Sequence, residues 1–303
     1  KVPKDLIETL NTYYKGVIVT SWFVKKVLID SGCLLPISIV IIPLVKKNNI
    51  NVLKVEDLKR IGNRSTINIL HVSSCFPRKG LDILLQAFNL SCKVVDNLTL
   101  TIKTFHNPHN NIKELIDLFI EKEFLNKINL IFDDYDDEMM SNLYNNADIV
   151  VLPTRGEGLN MPAIEAGEYS RPLVVTGFGA HTDFLNDNSW LIPYQFSKSQ
   201  SHFHLSSSVW VDASYNHLSD ILVELSNKLM RNDSTVFTKI EKFHNSIDGL
   251  FYSSHSVNSF LTGLVRIKDF NNLDLSKNSN LNSISIITTW NIECGIAEYS
   301  KYI

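Results

Sequence analysis

Pro153-Thr154-Arg155-Gly156-Glu157-Gly158-Leu159-Asn160-Met161-Pro162-Ala163-Ile164-Glu165-Ala166-Gly167 is the stretch on which the reading of the fold turns. Just ahead of it, residues 147–152 form a short apolar, β-branched run bounded by polar residues and a proline. Such a run is the pattern of a buried strand. Behind the glycine-bearing turn, Pro162 falls in the first turn of a helix, where its missing N–H costs nothing. The stretch is therefore a strand, a loop and a helix start, with Glu157 in the loop and Glu165 inside the helix. A helix start offers free N–H groups and the positive end of the dipole, which suits a phosphate.

Outward from this corner the chain is regular. Residues 67–72, 98–103, 128–132, 148–152 and 172–176 read as strands, and 81–90, 112–124, 136–145 and 162–169 as helices. Alternation of this kind argues for an α/β domain with a doubly wound parallel sheet, Rossmann-like in arrangement. Ligands of such sheets bind beyond the carboxyl ends of the strands, where the corner lies. After Trp190 the chain reads as irregular through Asp212, followed by helices over 215–230, 234–247 and 254–267. Upstream, strands at 16–20 and 38–42 flank a helix over 23–31, with Gly32 at its C-cap, as in a βαβ remnant. The expected organisation is a partial domain at 1–45, a linker at 46–64, the main domain at 65–268, an Asn/Ser-rich linker at 269–283 and the first βα unit of another domain at 284–303. Because the chain starts at Lys1 and stops inside an expected helix, it reads as a piece of a longer protein.

A hydrophobic content of 44% supports a packed core, and a net charge of −3 gives no general attraction to nucleic acid or anionic membrane. Cys33, Cys75, Cys92 and Cys294 are far apart, so free thiols are expected instead of a disulfide framework or a zinc site. No apolar run approaches the roughly 18–20 residues of a membrane span.

Four places can carry chemistry. Pro77-Arg78-Lys79-Gly80 puts a basic pair at a strand end, opening a helix, where it can hold a diphosphate or simply be a solvated turn. The Glu157/Glu165 pair suits hydroxyl recognition by carboxylates, a general acid/base pair, or, for Glu165, a favourable place in the first helical turn. Asp134-Tyr135-Asp136 is a D-x-D triplet that suits a divalent cation, but it immediately precedes a helix and is read as capping. His202 and His204 lack a third ligand nearby, and His106 and His109 are equally isolated, so no protein-bound metal is expected. Neither a G-x-x-x-x-G-K-[ST] loop nor a G-x-G-x-x-G fingerprint occurs.

Residues 69–80, ending in Pro77-Arg78-Lys79-Gly80, together with residues 143–148 and the Glu157…Glu165 spacing, resemble the donor domain of family-4 type, group 1 retaining glycosyltransferases. The resemblance is strong over residues 65–210, and the spacing is that family's E-x7-E signature. It implies the GT-B fold of two facing Rossmann-like domains, with the acceptor side ending in 1–45 and a further transferase starting in 284–303, as in a tandem bacterial, cytoplasmic enzyme of polysaccharide synthesis. It further implies that Lys79 binds the donor diphosphate, Glu157 the sugar hydroxyls and Glu165 the ribose. Backbone N–H groups at Gly158, Leu159 and Asn160 would face the phosphates. The partners implied are a nucleotide-sugar donor and a glycan acceptor, with peripheral-membrane or tandem-domain contacts through parts outside the chain and no cofactor beyond the donor itself. Two departures stand out: Ser74 replaces the family's usual arginine, with Arg78 as its substitute, and Asn160 puts bulk where backbone should approach the ligand. They motivate an alternative, a degenerate module that scaffolds a neighbouring transferase. A nucleotide-sugar epimerase or a phosphorylase of the same fold has no separate signature here. The piece alone is expected to bind donor and to transfer little.

Overall fold

The computed structural model describes residues 2–44, 65–109, 111–200, 208–253 and 257–258. The linkers at 46–64 and 269–283, the further domain start at 284–303, nearly all of the helix read over 254–267, and His202, His204 and Cys294 lie outside the described residues.

The described residues fall into two compact units, divided after Pro43. The first holds α1 (Lys4–Tyr13), β1 (Val17–Val19), α2 (Trp22–Asp30) and β2 (Ile37–Ile39). β1 and β2 pair in parallel with Val17 opposite Ile37. Ile7, Leu10, Val19, Leu28, Cys33 and Ile37 form its small core. The Ser21 hydroxyl caps α2 by accepting from the Val24 N–H at 3.1 Å. Gly32 follows α2 with φ +99°, a conformation that suits glycine. The βαβ reading holds, with strands shorter than expected, and α1 is an element the sequence reading did not include.

The second unit, Leu44–Ser253, carries the sheet. Its strands are β3 (Ile67–Val72), β4 (Leu98–Lys103), β5 (Ile128–Ile131), β6 (Ile149–Leu152), β7 (Leu173–Thr176) and β8 (Trp190–Ile192). All neighbours are parallel, in the order β5-β4-β3-β6-β7-β8, with Ile67 opposite Leu98 and Ile69 opposite Ile149. The order reverses between β3 and β6, which makes that seam the topological switch point of a doubly wound sheet. Every residue of β6 and β7 is buried, as expected of central strands covered on both faces. Ile69, Leu100, Ile102, Ile149 and Val151 join one core with α3 (Leu81–Cys92), α8 (Tyr215–Met230) and α9 (Ser234–Ile247). Between the strands lie α4 (Ile112–Phe119), α5 (Asp137–Asn145), α6 (Met161–Glu168) and the short α7 (Thr182–Leu185). No helix among the described residues is long and apolar enough to cross a membrane.

Two readings need correction. The helix expected over 112–124 ends at Phe119, because Ile120 is extended and a 3₁₀ segment follows at Lys122–Lys127. Asn89 brackets the break, accepting from the Glu121 N–H at 2.9 Å and donating to its carboxylate at 3.2 Å. The region taken as irregular holds β8 and an antiparallel hairpin, β9 (Tyr194–Lys198) with β10 (Val209–Ala213). Pro193 interrupts the run, yet its carbonyl accepts from Ser214 N–H at 2.8 Å and closes the hairpin base.

Gly167 lets α6 approach α9: a Cβ there would lie 2.4 Å from Ile247 Cγ1 and 3.0 Å from Phe243 Cζ. Gly167→Ala should therefore destabilise the chain by about 1–3 kcal/mol despite the better helix propensity of alanine. In urea denaturation the Gly167→Ala/Ile247→Ala double variant should lose less than the sum of the single losses.

Candidate nucleotide-sugar site

The turn after β3 and the loop after β6 meet at the switch point. Pro77–Lys79 is one 3₁₀ turn, closed by Gly80 at φ +72°. A side chain at Gly80 would place its Cβ 2.0 Å from the Pro153 carbonyl oxygen. No residue but glycine fits, because both the backbone conformation and the space demand it. The main chains are then stitched: Arg155 N–H donates to the Arg78 carbonyl at 2.7 Å, with the Thr154 hydroxyl oxygen 3.2 Å from the same carbonyl.

This seam brings Arg78, Lys79 and Glu157 together. Lys79 Nζ donates to Glu157 Oε1 at 2.6 Å and Thr154 Oγ1 donates to the same oxygen at 2.9 Å. Arg78 Nη1 reaches Oε2 at 3.2 Å. The Glu157 and Lys79 side chains are 7% and 13% exposed, while that of Arg78 is 38% exposed. Burial alone would raise the Glu157 carboxyl, but Lys79, Arg78 and the Thr154 hydroxyl outweigh it and hold it at about 2. Burial lowers the Lys79 ammonium, against the pull of Glu157.

Arg155, which the sequence reading passed over, braces the seam. It is 8% exposed. Nη1 and Nη2 bind both oxygens of Asp82 at 2.8 and 2.6 Å, Nε binds Asp212 at 2.6 Å, and Nη1 also donates to the Pro77 carbonyl at 2.6 Å. Trp210 lies under the guanidinium, 4.9 Å from ring centre to Cζ. One arginine thus ties the basic turn, the start of α3 and the hairpin to the loop that bears Glu157.

Two buried histidines, also missed, set the backbone on either side. His71 Nδ1 lies 2.8 Å from the Val151 carbonyl, which only accepts, so Nδ1 carries the proton. Nε2 then accepts from the Ser73 hydroxyl at 2.7 Å, and Ser73 Oγ accepts from the Cys75 N–H at 3.0 Å. This chain of bonds holds Cys75 at φ +52° just ahead of the basic turn. The neighbouring Ser74 is anchored through its carbonyl, which accepts from Asn107 at 3.0 Å. His181 likewise has Nε2 on the Thr176 carbonyl at 2.7 Å, leaving Nδ1 to face the Asn160 amide at 3.3 Å. Asn160 caps α6 at φ +74°, a region Asn tolerates, and its side chain is buried against His181. The expected obstruction by Asn160 is therefore corrected: its bulk turns inward. Gly158 has open space where a Cβ would stand, and Leu159 is buried.

Glu165 is the fifth residue of α6, in its second turn, so first-turn placement does not explain it. Its Oε2 accepts from the Tyr144 hydroxyl at 2.6 Å. Tyr144 is buried, stacks on Tyr169 at 5.0 Å and 2°, and its hydroxyl is held protonated because burial and the Glu165 charge raise it well above its usual value. Asp136 is a cap, accepting from Met139 N–H at 2.8 Å. His106 stacks on Phe132 and His109 meets the edge of Phe76. Among the described residues no group of three or more His, Cys, Asp or Glu side chains is placed to hold a metal ion. Cys33, Cys75 and Cys92 are free and buried.

Residues 56–202 match the family of glycosyl transferases, group 1. A glycosyltransferase from Rickettsia africae is similar in structure over 90% of this chain and 69% of its own, at 18% identity and a TM-score of 0.63. Anabaena HepE, solved in complex with UDP-glucose, is similar over 88% and 67% of the two chains, at 14% identity and a TM-score of 0.66. Sucrose-phosphate synthase from Thermosynechococcus elongatus is similar over 89% and 62%, at 14% identity and a TM-score of 0.62. The fold is that of GT-B glycosyltransferases, and the chain spans 62–69% of these proteins' length. No curated protein sequence matches the chain.

His71 gives the site a measurable acid sensitivity. Burial pushes it down to about 4. An unfolded histidine takes up its proton near 6.5, so between those values the unfolded state binds more protons. Stability should fall by about 3 kcal/mol as pH drops from 6.5 to 4, with His181, also lowered by burial, adding in the same direction. Urea midpoints across this range should show the decline, and His71→Gln should flatten it.

Proposed function

We propose that this chain is the donor-binding half of a retaining glycosyltransferase that moves a sugar from a nucleotide sugar to a glycan. The observation that carries the reading is the buried Lys79–Glu157–Arg78 cluster at the switch point of the sheet, on the turn and loop whose Gly80–Pro153 contact forces them together. Two cations, Lys79 largely buried and Arg78 partly exposed, suit a diphosphate at the carboxyl ends of parallel strands. The match of residues 56–202 to group 1 glycosyl transferases, and the UDP-glucose in the HepE structure, favour a nucleotide sugar as the ligand class.

In this reading Lys79 and Arg78 neutralise the diphosphate as charge develops on the leaving group, assisted by the start of α6. Glu157 accepts hydroxyls of the donor sugar. Glu165, oriented by Tyr144, accepts ribose hydroxyls. Retention of the anomeric configuration, and a leaving group neutralised without a protein-bound metal, follow from the family resemblance. The alternative of a degenerate module drew on Ser74 and Asn160; Asn160 packed on His181 removes half of that motive.

Calorimetry with UDP-, GDP- and ADP-linked glucose or mannose tests the proposal. One of these should bind, and EDTA should leave its affinity unchanged. Lys79→Ala should weaken it roughly 30-fold or more, since a charge-assisted hydrogen bond contributes about 2 kcal/mol. Glu165→Ala should weaken the ribonucleotide more than its 2′-deoxy counterpart, whereas Asp136→Asn should change nothing but local helix stability. Binding that survives Lys79→Ala intact would overturn the assignment.

A further inference from the structure

We infer that Glu157 makes this site select a nucleotide sugar over the free nucleoside diphosphate, because the donor sugar's hydroxyls replace the cations that Glu157 holds in the empty site. The inference rests on the donor-site reading above and adds to it a ground for discrimination.

Two of the three hydrogen bonds described on the Glu157 carboxylate come from the cations that a diphosphate would draw towards itself. Lys79 and Thr154 donate to Oε1, and Arg78 donates to Oε2. The carboxylate is 7% exposed, so water cannot readily substitute for a lost partner. Of the other titratable groups around the cluster, His71 and His181 are kept neutral by burial, burial raises the Cys75 thiol, and the neighbouring Arg155 is paired with Asp82 and Asp212. Within the cluster itself two cations face one carboxylate.

A diphosphate arriving at Arg78 and Lys79 competes for the same N–H donors and sets its own negative charge beside Glu157. Lys79 has three N–H bonds and can serve two anions, but each is served less well, and two anions sharing one cation repel each other. A bare nucleoside diphosphate offers Glu157 nothing in return. Its terminal phosphate, once fully ionised above its second pKa of about 6, accepts and does not donate, and carries one more ionisable oxygen than the esterified phosphate of a nucleotide sugar. The nucleotide sugar brings less charge and several hydroxyl donors on the sugar ring beside that phosphate. It alone allows the buried carboxylate to stay fully bonded while the cations turn to the diphosphate. Once the sugar has moved to an acceptor, the same imbalance favours departure of the nucleoside diphosphate.

The test compares UDP with UDP-glucose, GDP with GDP-mannose and ADP with ADP-glucose by calorimetry, using the full chain and its Glu157→Gln variant. For the pair that binds, the wild type should prefer the sugar form at least about tenfold, the worth of one charge-assisted hydrogen bond. Glu157→Gln should bind the free diphosphate more tightly than the wild type does, and the ratio should fall to about one, since an amide carries no charge to be stranded. A wild-type ratio near one, or a ratio that Glu157→Gln leaves unchanged, overturns the inference while leaving the donor site standing. Failure of all three pairs to bind the wild type overturns the donor-site reading, and the inference with it. A measurement on the wild type alone guards against a variant that does not fold. The β-methyl ester of the same nucleoside diphosphate has the charge of the nucleotide sugar and no hydroxyls on its ester group. It should bind more weakly than the nucleotide sugar, and equal affinity would show that hydroxyl donors play no part.

Discussion

The contact between Gly80 and the Pro153 carbonyl is the constraint from which the site follows. Strands β3 and β6 are neighbours because the sheet order reverses there, and a turn from each must leave the same edge. Only a residue without Cβ lets the two turns close to main-chain distance. At that distance Arg78 and Lys79 on one side cannot avoid Glu157 on the other. An ion pair buried to this degree contributes little net stability by itself. It is held in place by the packing around it, and the chain tolerates its desolvation because the carboxylate keeps three donors.

Arg155 shows how such a cluster is kept rigid. The polar groups that would otherwise drift, the Pro77 carbonyl and the Asp82 and Asp212 carboxylates, converge on one planar guanidinium. Its fork geometry fixes direction as well as distance, which a lysine would not do. The two histidines perform the same service for the main chain, one ahead of the basic turn and one behind the cap of α6.

How much of this was readable in advance depended on the range of the interaction. Buried strands announce themselves through local apolar runs, so β3, β4, β6 and β7 could be placed within a residue or two. Lys79, Arg78 and Glu157 could be grouped because each sits beyond a strand end, a property of local pattern combined with sheet topology. The roles of Arg155 and His71 could not, since the carboxylates that hold Arg155 and the carbonyl that holds His71 lie 57 to 80 residues away. A clue existed in hindsight: an arginine inside the signature loop and an aspartate at the second position of α3 are complementary charges on facing turns. The hairpin β9–β10 was hidden by Pro193 and by the Ser- and His-rich stretch 199–208 that separates its strands in sequence. Asn160 was misjudged because a side chain's direction depends on its backbone conformation, and the left-handed φ at that position swings it inward.

The neutral histidines have a consequence for the electrical character of the pocket. In most anion sites imidazoles near lysines would gain protons as the solution acidifies, and the field at the ligand would climb. Here both rings are locked into one tautomer by backbone carbonyls, and burial lowers both, His71 to about 4. The field that an incoming phosphate meets is thus set by Lys79, Arg78 and Glu157, and it climbs less on acidification than ordinary imidazoles in those places would make it.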